Sequence, residues 1–483
     1  MKNLGITLLG LGPGDPDLLT RQAWQVLISS GEIYLRTRLH PTVIGFPPEL
    51  RVHSFDRFYE EGNSFDEVYE RIIEQILELG QEESGVVYGV PGHPYVAEAT
   101  APEITRRAKM MGIPVTLVEG LSFIEPIFGL LGIDPFPHTA FVDALELVTL
   151  HHPPFPPDFP AVIAQIHSPG IASDVKLTLL AVYPDDHQVQ LVHGAGTSSA
   201  KVELLKLYEI DRSSNIGLLT ALYLPGLDQK ASFEGFQDVV AHLRAPDGCP
   251  WDRDQTHLSL RPYLLEEAYE VLTALDNEDQ KGLQEELGDL LLQIVLHAQI
   301  ASEYGDFSMV DVIHGISEKL VHRHPHVFGD LEIHDQKKVV ENWQKLKSAE
   351  REVKPGKNGI LDGVSPALPA LVQAETYQER VNRVGFDWVN VQGVFAKITE
   401  EIAEIQNADS DEEYEAEIGD LLFAVVNLAR WLDIDAESAL RAANNRFRMR
   451  FEKIEAAARK GEREISELTL EELDELWDAA KKN

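Results

Sequence analysis

The sequence has few cysteines and few basic residues, and each shortage excludes a class of protein. Cys249 is the single cysteine, so no disulfide can form within the chain, as is typical of a reducing compartment. Lysine and arginine total 42 against 80 aspartates and glutamates, which gives a formal net charge of −38. Because no long basic stripe is present, we expect no nucleic acid partner.

Long hydrophobic runs are also missing from the sequence. No uninterrupted apolar stretch reaches about 18 residues, so we expect no membrane-spanning helix. The N-terminus enters a strand-like segment directly, without the charged and then apolar pattern of a signal peptide. Together with the single cysteine, these absences predict a cytoplasmic protein.

The first part of the chain alternates short apolar runs with helical stretches. Buried strands are predicted at residues 4–11, 85–90, 114–118, 161–166 and 188–192. Such alternation is typical of an α/β domain with a largely parallel sheet. Near residue 230 the composition changes to long, charged, helical segments, and we place the boundary at 225–228.

The helical part contains a four-carboxylate pattern twice. Acids three residues apart lie about 60° apart on one helix face, so two such helices side by side direct four carboxylates at one point. Like charges this close are costly unless a cation lies among them, and oxygen ligands favour Mg²⁺ or Mn²⁺. The first copy is Glu266-Glu267-x-x-Glu270 with Glu286-Leu-Gly-Asp289, and the second is Glu400-Glu401-x-x-Glu404 with Glu417-Ile-Gly-Asp420.

The two copies belong to a longer repeat of about 110 residues. A Trp-Asp or Asp-Trp pair precedes each acidic cluster, and two basic residues four apart follow it. The ordered recurrence argues against the alternative of a coincidence between two Glu-rich helices. The aromatic pairs are Trp251-Asp252 and Asp387-Trp388, and the basic pairs are Lys319 with Arg323 and Arg446 with Arg450.

Each repeat offers the groups that hydrolysis of a phosphoanhydride requires. The acids hold divalent ions, and the basic pair on a later helix contacts phosphate oxygens. An additional acid beside the ligands, Glu266 or Glu400, orients or deprotonates a water molecule. The expected chemistry is therefore metal-assisted hydrolysis.

The motifs of the helical part resemble those of MazG-type nucleoside triphosphate pyrophosphohydrolases over about residues 236–483. The resemblance implies tandem all-α domains at 236–352 and 360–483, and hydrolysis of a nucleoside triphosphate to a monophosphate and pyrophosphate. The segments that carry it, besides the acidic pattern, are Gly248-Cys-Pro-Trp-Asp252, His322-Arg-His-Pro-His-Val-Phe328, Val384-Gly-Phe-Asp-Trp388 and Asn427-Leu-Ala-Arg430.

The same resemblance implies roles for individual residues. The implied Mg²⁺ ligands are Glu401, Glu404, Glu417 and Asp420 in the second repeat, and Glu267, Glu270, Glu286 and Asp289 in the first. Glu400 and Glu266 would assist the water. The implied substrate contacts are Asn444, Arg446, Arg450, Lys319, Arg323 and Trp388. The family commonly has lysine at the position of Arg446, so the charge is kept but the geometry changes.

Some alternatives stay open in this half. Both acidic sets are intact, so either both repeats are active or the first is a dimerisation scaffold. Trp388 either stacks on a base or packs in the core. A zinc site at His322, His324 and His326 is disfavoured because Pro325 interrupts the helix that such ligation needs.

Three glycine-rich turns follow strands in the α/β part. The carboxyl ends of parallel strands meet at one edge of a sheet, where α/β folds place ligands. The first turn lacks the lysine of a phosphate-binding loop and the spacing of a dinucleotide-binding motif. The turns are Gly10-Leu-Gly-Pro-Gly-Asp15, Val90-Pro-Gly-His-Pro-Tyr95 and Val118-Glu-Gly-Leu-Ser122.

These turns resemble the tetrapyrrole methylase family, which uses S-adenosylmethionine (SAM), over about residues 4–225. The resemblance implies a two-subdomain α/β domain at 1–228 that holds SAM in its cleft and methylates a tetrapyrrole or another acceptor. Many members have Gly-Asp-Pro where this chain has Gly92-His93-Pro94, which puts the ordinary acceptor in doubt. The implied SAM-binding residues are Gly12, Pro13, Gly14, Asp15, Gly92, His93, Pro94, Gly120 and Ser122.

Together the two resemblances are similar to the YabN-type fusion of a methylase-like domain with a MazG-like region. We therefore expect a homodimeric, Mg²⁺-dependent hydrolase of nucleoside triphosphates with an attached SAM-binding domain. One alternative is a regulatory protein that senses SAM or a tetrapyrrole. Another is a tetrapyrrole methyltransferase whose helical region only dimerises. The intact acids favour the hydrolase, and His93 argues against the methyltransferase.

Overall fold

The computed structural model describes residues 5–62, 64–352, 359–461 and 463–481. The chain forms two compact units, Met1–Arg253 and Asp254–Asn483. The strands of the first unit are β1 Ile6–Gly10, β2 Glu32–Leu35, β3 Arg51–Ser54, β4 Val86–Val90, β5 Val115–Val118, β6 Ala140–Asp143, β7 Ala161–Ala164, β8 Gln188–His193, β9 Lys201–Lys206 and β10 Thr220–Leu224.

The helices of the first unit cover its two sheets. They are α1 Arg21–Ser29, α2 Asp56–Glu61, α3 Phe65–Gly80, α4 Thr100–Met111, α5 Ile124–Leu131, α6 Ala144–Leu147, α7 Pro169–Leu179, α8 Phe233–Arg244 and α9 Pro250–Arg253. Short 3-10 turns occur at Pro16–Leu18, Pro41–Gly45 and Leu207–Arg212.

The first sheet is parallel, with strand order β3-β2-β4-β1-β5. All five residues of β1 are buried, because helices cover both faces of a parallel sheet and its central strands are apolar throughout. Helices α3 and α4 pack on one face through Ile72 and Ile104, and α1 packs on the other through Leu27.

The second sheet has the order β6-β7-β10-β8-β9, and only its β6–β7 pair is parallel among the described pairings. Helix α7 packs on one face through Val175 and Leu179, and α5 packs on the other through Ile127 and Phe128. The expected α/β fold with two subdomains is confirmed, although the second sheet is mainly antiparallel.

Helix α8 belongs to the first unit. It begins after Ser232, whose Oγ accepts a hydrogen bond from the Gly235 N–H and donates one of 2.7 Å to Asp158 Oδ2. Ser232 is buried, and so is Val240 on the same helix. The division between the units therefore falls after Arg253, downstream of the boundary that the composition suggested at 225–228.

The described part of the second unit is helical and contains no strand. Its helices are α10 Arg261–Asp276, α11 Gln280–Tyr304, α12 Met309–Arg323, α13 Pro325–Phe328, α14 Gln336–Glu352, α15 Ala370–Asn382, α16 Val391–Asn407, α17 Asp411–Trp431, α18 Ala436–Lys460 and α19 Leu470–Lys481, with a 3-10 turn at Ile465–Glu467. The predicted all-α character is thus confirmed. The turn-rich break predicted at 353–359 lies mostly outside the described residues.

Two helical hairpins form the frame of the second unit. Helix α10 packs against α11, and α16 packs against α17. The second helix of each hairpin starts at a capping side chain, Asp279 for α11 and Ser410 for α17, as expected for residues that accept backbone N–H bonds. Helix α15 packs on α17, and α19 packs on α18. Among the described residues, no helix combines the length and apolar character that crossing a membrane requires.

Candidate active site

The second acidic cluster lies where α16 packs against α17. Glu401, Glu417 and Asp420 each place one carboxylate oxygen within 4.8 Å of the others. Glu417 and Asp420 share one face of α17 because they are three residues apart, and Glu401 faces them from α16. The structure thus brings together three of the four ligands that the sequence predicted here.

Glu404, the fourth predicted ligand, lies one turn along α16 from Glu401. Desolvation and the charges of Glu417 and Glu401 raise its pKa, while the charge of Lys397 lowers it. A raised carboxyl pKa is the electrostatic consequence of gathering several acids at one point. A divalent cation in the cluster would relieve this repulsion.

Lys397 is the main counter-charge of the second cluster. Its Nζ lies 2.6 Å from Glu401 Oε1 and 3.0 Å from Glu400 Oε1, one helical turn along α16. The hydrogen bonds that Lys397 donates to these two carboxylates raise its pKa, so the ammonium group stays charged. Glu401 is only 2% exposed, and its Oε2 has no hydrogen-bond partner among the described residues. This buried oxygen is available to a cation.

The first acidic cluster repeats the arrangement on α10 and α11. Glu267, Glu270 and Glu286 place one carboxylate oxygen each within 4.8 Å of one another. Desolvation and the charges of Asp289 and Glu270 raise the pKa of Glu267. Desolvation and the charge of Glu270 raise the pKa of Glu286. Glu266 lies beside the cluster and is exposed to solvent, as is Glu400 beside the second.

A cavity of about 700 Å³ adjoins the second cluster. Glu401 and Asp420 form part of its wall, so the cluster faces a cleft, open to solvent, that is large enough for a small organic ligand. Trp388 also lines the cavity and is 46% exposed. The remaining lining residues are Leu361, Tyr377, Gln378, Val381, Gly385, Phe386, Asp387, Val394, Lys397, Phe423, Ala424, Asn427 and Arg430.

An ion pair stabilises one side of this cavity. Arg430 Nη2 donates to both oxygens of Asp387 at 2.8 Å, and its Nε donates to Asn427 Oδ1 at 3.0 Å. The indole N–H of Trp431 and the backbone N–H of Trp388 also donate to Asp387. Burial alone would raise the pKa of Asp387, but the hydrogen bonds from Arg430 and the two tryptophans lower it. The pair fixes the backbone of Trp388.

The basic residues predicted to contact phosphate lie elsewhere on the second unit. Arg446 and Arg450 are on α18 with Asn444, and the Arg450 guanidinium lies 5.6 Å from the ring centre of Trp477. None of these three is among the described residues that line the cavity. In the first repeat, Lys319 and Arg323 lie on α12, and the Arg323 guanidinium is 5.5 Å from the Trp343 ring.

In the first unit, the three glycine-rich turns meet at the carboxyl edge of the first sheet. Gly12 and Gly92 exchange backbone hydrogen bonds of 3.2 and 2.8 Å. A Cβ at Gly10 would lie 2.5 Å from the Gly120 nitrogen, and one at Gly120 would lie 2.4 Å from the Gly92 oxygen. Positions 10 and 120 therefore require glycine, because the backbones approach too closely for a methyl group.

The first of these turns also contacts the second subdomain. The Asp15 N–H donates to the Gly196 oxygen at 2.7 Å, and a Cβ at Gly14 would lie 2.7 Å from Thr197 Cγ2. Ser122, in the third turn, is 3% exposed and donates to Glu125 Oε2 at 2.6 Å. Pro13 and Pro94 are buried, whereas His93 is half-buried and accepts from the Tyr95 N–H through Nδ1.

Lys397 and Gln378 are two of the cavity-wall residues that the sequence did not lead us to predict. Lys397 precedes Glu400 by three residues and Glu401 by four, a spacing that places it on the acidic face of the helix. That signal was present in the sequence. Gln378 on α15 carried no such signal, because its place beside the cavity depends on how α15 packs against α17.

Comparison with known proteins agrees with this two-part architecture. The family of tetrapyrrole (corrin/porphyrin) methylases matches residues 5–211, and the MazG nucleotide pyrophosphohydrolase domain matches residues 255–328. The uncharacterised protein YabN of Bacillus subtilis is 40% identical over 490 residues, which cover 99% of this chain and 98% of that protein.

Two further matches each concern one half of the chain. The nucleoside triphosphate pyrophosphohydrolase/pyrophosphatase MazG of Thermotoga maritima is 47% identical over 249 residues, covering 52% of this chain and 95% of that protein. A crystal structure of uroporphyrin-III-C-methyltransferase from Thermus thermophilus has a TM-score of 0.36 and 20% identity, covering 46% of this chain and 92% of that one. The chain belongs to the family that joins a tetrapyrrole methylase domain to a MazG nucleotide pyrophosphohydrolase region.

Proposed function

We propose that the helical half hydrolyses nucleoside triphosphates to monophosphates and pyrophosphate, with Mg²⁺ or Mn²⁺ bound at the second acidic cluster. One observation carries the proposal. Glu401, Glu417 and Asp420 converge within 4.8 Å, and two of them form part of the wall of a cavity of about 700 Å³. The name of the Thermotoga maritima relative, which is 47% identical over this half, describes the same activity.

The donor set fits a hard divalent cation. It consists of carboxylate oxygens, and Glu401 also has a buried oxygen, Oε2, without a partner among the described residues. When bound, the ion would supply positive charge that stabilises the phosphate oxygens.

The other polar side chains then act on the substrate directly. The Lys397 ammonium group, held at the cluster by Glu400 and Glu401, donates hydrogen bonds to a phosphate oxygen. Glu400 is exposed beside the ligands and accepts a proton from the attacking water as general base. The cavity receives the nucleoside part, with Trp388 stacked on the base.

Pyrophosphate release from a panel of nucleoside triphosphates with Mg²⁺ tests the proposal. The matched variants are Asp420→Asn and Asp289→Asn, which make the same change in the second and the first cluster. We expect Asp420→Asn to lower the rate about 100-fold or more, and Asp289→Asn to lower it less than about threefold. No release from any triphosphate, or equal rates for wild type and Asp420→Asn, would overturn the proposal.

We also propose that the first unit binds SAM at the three glycine-rich turns, with a tetrapyrrole or another molecule as methyl acceptor. The convergence of the turns at one sheet edge supports this, because that edge is where α/β folds bind ligands. Isothermal titration of SAM tests it, with Asp15→Ala as a variant in the first turn. We expect measurable binding that weakens in the variant, and absence of binding to the wild type contradicts the proposal.

We further propose that the protein is a homodimer in the cytoplasm, associating through its helical half. Apolar side chains at the same spacing are exposed on the second helix of each hairpin. They are Leu287, Leu291 and Ile294 on α11, and Ile418, Leu422 and Val425 on α17, each 37–54% exposed. A second copy of the chain would cover them. Light scattering of the full chain should give twice the mass of 54.0 kDa, and a monomer would contradict this.

A further inference from the structure

Gln378 presents an uncommitted hydrogen-bond acceptor beside the proposed nucleoside cavity. The residue lines the cavity from α15 and is only 4% exposed. Its side-chain Oε1 is buried and has no hydrogen-bond partner among the described residues. Leaving a buried acceptor unpaired costs free energy, so such a group usually pairs with a ligand or water.

The orientation of this amide is fixed by a backbone carbonyl. Gln378 Nε2 donates a hydrogen bond of 2.8 Å to the oxygen of Phe423 on α17. Turning the amide over would place Oε1 against that carbonyl oxygen, two acceptors facing each other without a proton. Gln378 therefore commits one N–H to Phe423 and leaves Oε1 as the unpaired acceptor of its amide.

Two pairs of charged groups in the cavity wall are already engaged with other side chains. Asp387 and Arg430 pair with each other, and Lys397 pairs with Glu400 and Glu401. Most of the remaining wall is apolar or aromatic, including Phe386 and Phe423. A base that enters this cavity thus meets a fixed acceptor in largely apolar surroundings, where an unmatched polar contact is costly.

We propose that Gln378 determines base specificity by selecting bases with an exocyclic amino group over their oxo counterparts. This inference rests on the proposed function and names its substrate class. An amino group of adenine or cytosine donates a hydrogen bond to Oε1. The oxygen at the same position of hypoxanthine or uracil faces Oε1 as a second acceptor, which leaves both groups desolvated and unpaired.

The test compares kcat/KM for ATP with ITP and for CTP with UTP, measured as pyrophosphate release with Mg²⁺. The wild type should prefer the amino member of each pair about tenfold or more. Gln378→Met has a similar volume but no acceptor, so both ratios should fall towards one. The rate with ITP should rise while the rate with ATP falls. Gln392→Met, the same change at an exposed position of α16, should keep the wild-type ratios.

The outcomes separate this inference from the proposed function. Hydrolysis of the triphosphates with wild-type ratios near or below one overturns the role of Gln378 and leaves the hydrolase intact. The same holds if Gln378→Met loses activity equally for all four substrates, which is a structural effect. No hydrolysis of any triphosphate overturns the proposed function and this inference with it. Wild-type ratios near or below one overturn the inference even if the variant does not fold.

Discussion

The two acidic clusters share one carboxylate pattern but have different surroundings. In the second repeat, Glu401 is 2% exposed and pairs with Lys397, whereas the corresponding Glu267 in the first repeat is half-buried. Tyr263 occupies the position that matches Lys397, three residues before the first glutamate of the pattern. The carboxylates, which both clusters share, account for a preference for a cation. The neighbouring side chains account for the differences in burial and charge between the two clusters.

The charge balance of the two clusters differs as well. In the first, repulsion and desolvation raise the pKa of both Glu267 and Glu286. In the second, the pKa of Glu404 is raised, but the positive charge of Lys397 offsets part of the effect. The two clusters therefore differ in charge balance: a lysine offsets part of the repulsion in the second, whereas every cause acting on Glu267 and Glu286 in the first raises the pKa.

Among the variants that separate the two repeats, we expect removal of Lys397 to have the largest effect on activity. Lys397→Met takes away the cation that we assign to phosphate binding and leaves the buried Glu401 without its partner. We expect kcat/KM for a good triphosphate substrate to fall about 100-fold. The matched control is Tyr263→Phe in the first repeat, which should stay within about threefold of wild type. Equal losses in the two variants would show that the repeats do not differ in this way.

A second test removes the ion pair of the cavity wall. The side chains of Arg430 and Asp387 are 12% and 14% exposed, so Arg430→Met leaves a largely buried carboxylate with fewer donors. We expect the free energy of unfolding of the helical half to fall by about 2 kcal/mol. Gln299→Met changes the matching position of the first repeat, where Gln299 donates a hydrogen bond to the exposed Glu303, and should cost less than about 0.5 kcal/mol. Urea unfolding followed by circular dichroism measures both, and similar losses would contradict the comparison.

A third test displaces the side chain of Trp388 without substituting the residue itself. A Cβ at Gly393 would lie 2.6 Å from Trp388 Cε3, so Gly393→Ala forces the indole to shift within the cavity wall. If the ring stacks on the base, KM should rise about fivefold with little change in kcat. Gly419→Ala is the control, because a Cβ there meets nothing within 4 Å. An unchanged KM for Gly393→Ala would assign Trp388 to packing.

The smallest expected effect concerns pH in the absence of divalent ions. A carboxyl whose folded-state pKa is raised stabilises the fold fully below its unfolded pKa of about 4.3, and this stability is lost as pH rises through the folded pKa. In EDTA, Tm should therefore fall by a few degrees between about pH 5 and pH 8. Glu267→Gln should flatten this decline more than Glu404→Gln does, since Lys397 already offsets repulsion at Glu404. Addition of Mg²⁺ should remove the decline, and a Tm independent of pH in EDTA would contradict the prediction.

The sequence predicted those features that short-range spacing determines. Acids at i and i+3 share a helix face in any helix, so the sequence predicted the shared face of Glu286 with Asp289 on α11 and that of Glu417 with Asp420 on α17. The same is true of the glycine-rich turns, since parallel strands end at one edge. The α/β and all-α fold classes followed from apolar periodicity and are confirmed.

The cavity was beyond prediction because it depends on packing between distant segments. Gln378 reaches Phe423 across 45 positions of sequence, and Arg430 reaches Asp387 across 43. No periodic pattern in the sequence predicts contacts between such distant residues. For Arg446 and Arg450 the i, i+4 spacing correctly places both on α18, but spacing does not indicate which surface that helix faces. Their contact with phosphate remains a prediction.

The hydrogen bond between Ser232 and Asp158 has a practical consequence for dividing the chain. A cut at residue 228 would separate α8 from the residues that bury Ser232 and Val240. The helical fragment would then begin with a helix whose normally buried side chains are exposed to solvent. A cut after Arg253 would keep α8 with the α/β part. The compact helical unit begins at Asp254, next to residue 255, where the match to the MazG domain starts. Expression of the helical half alone should therefore start at Asp254.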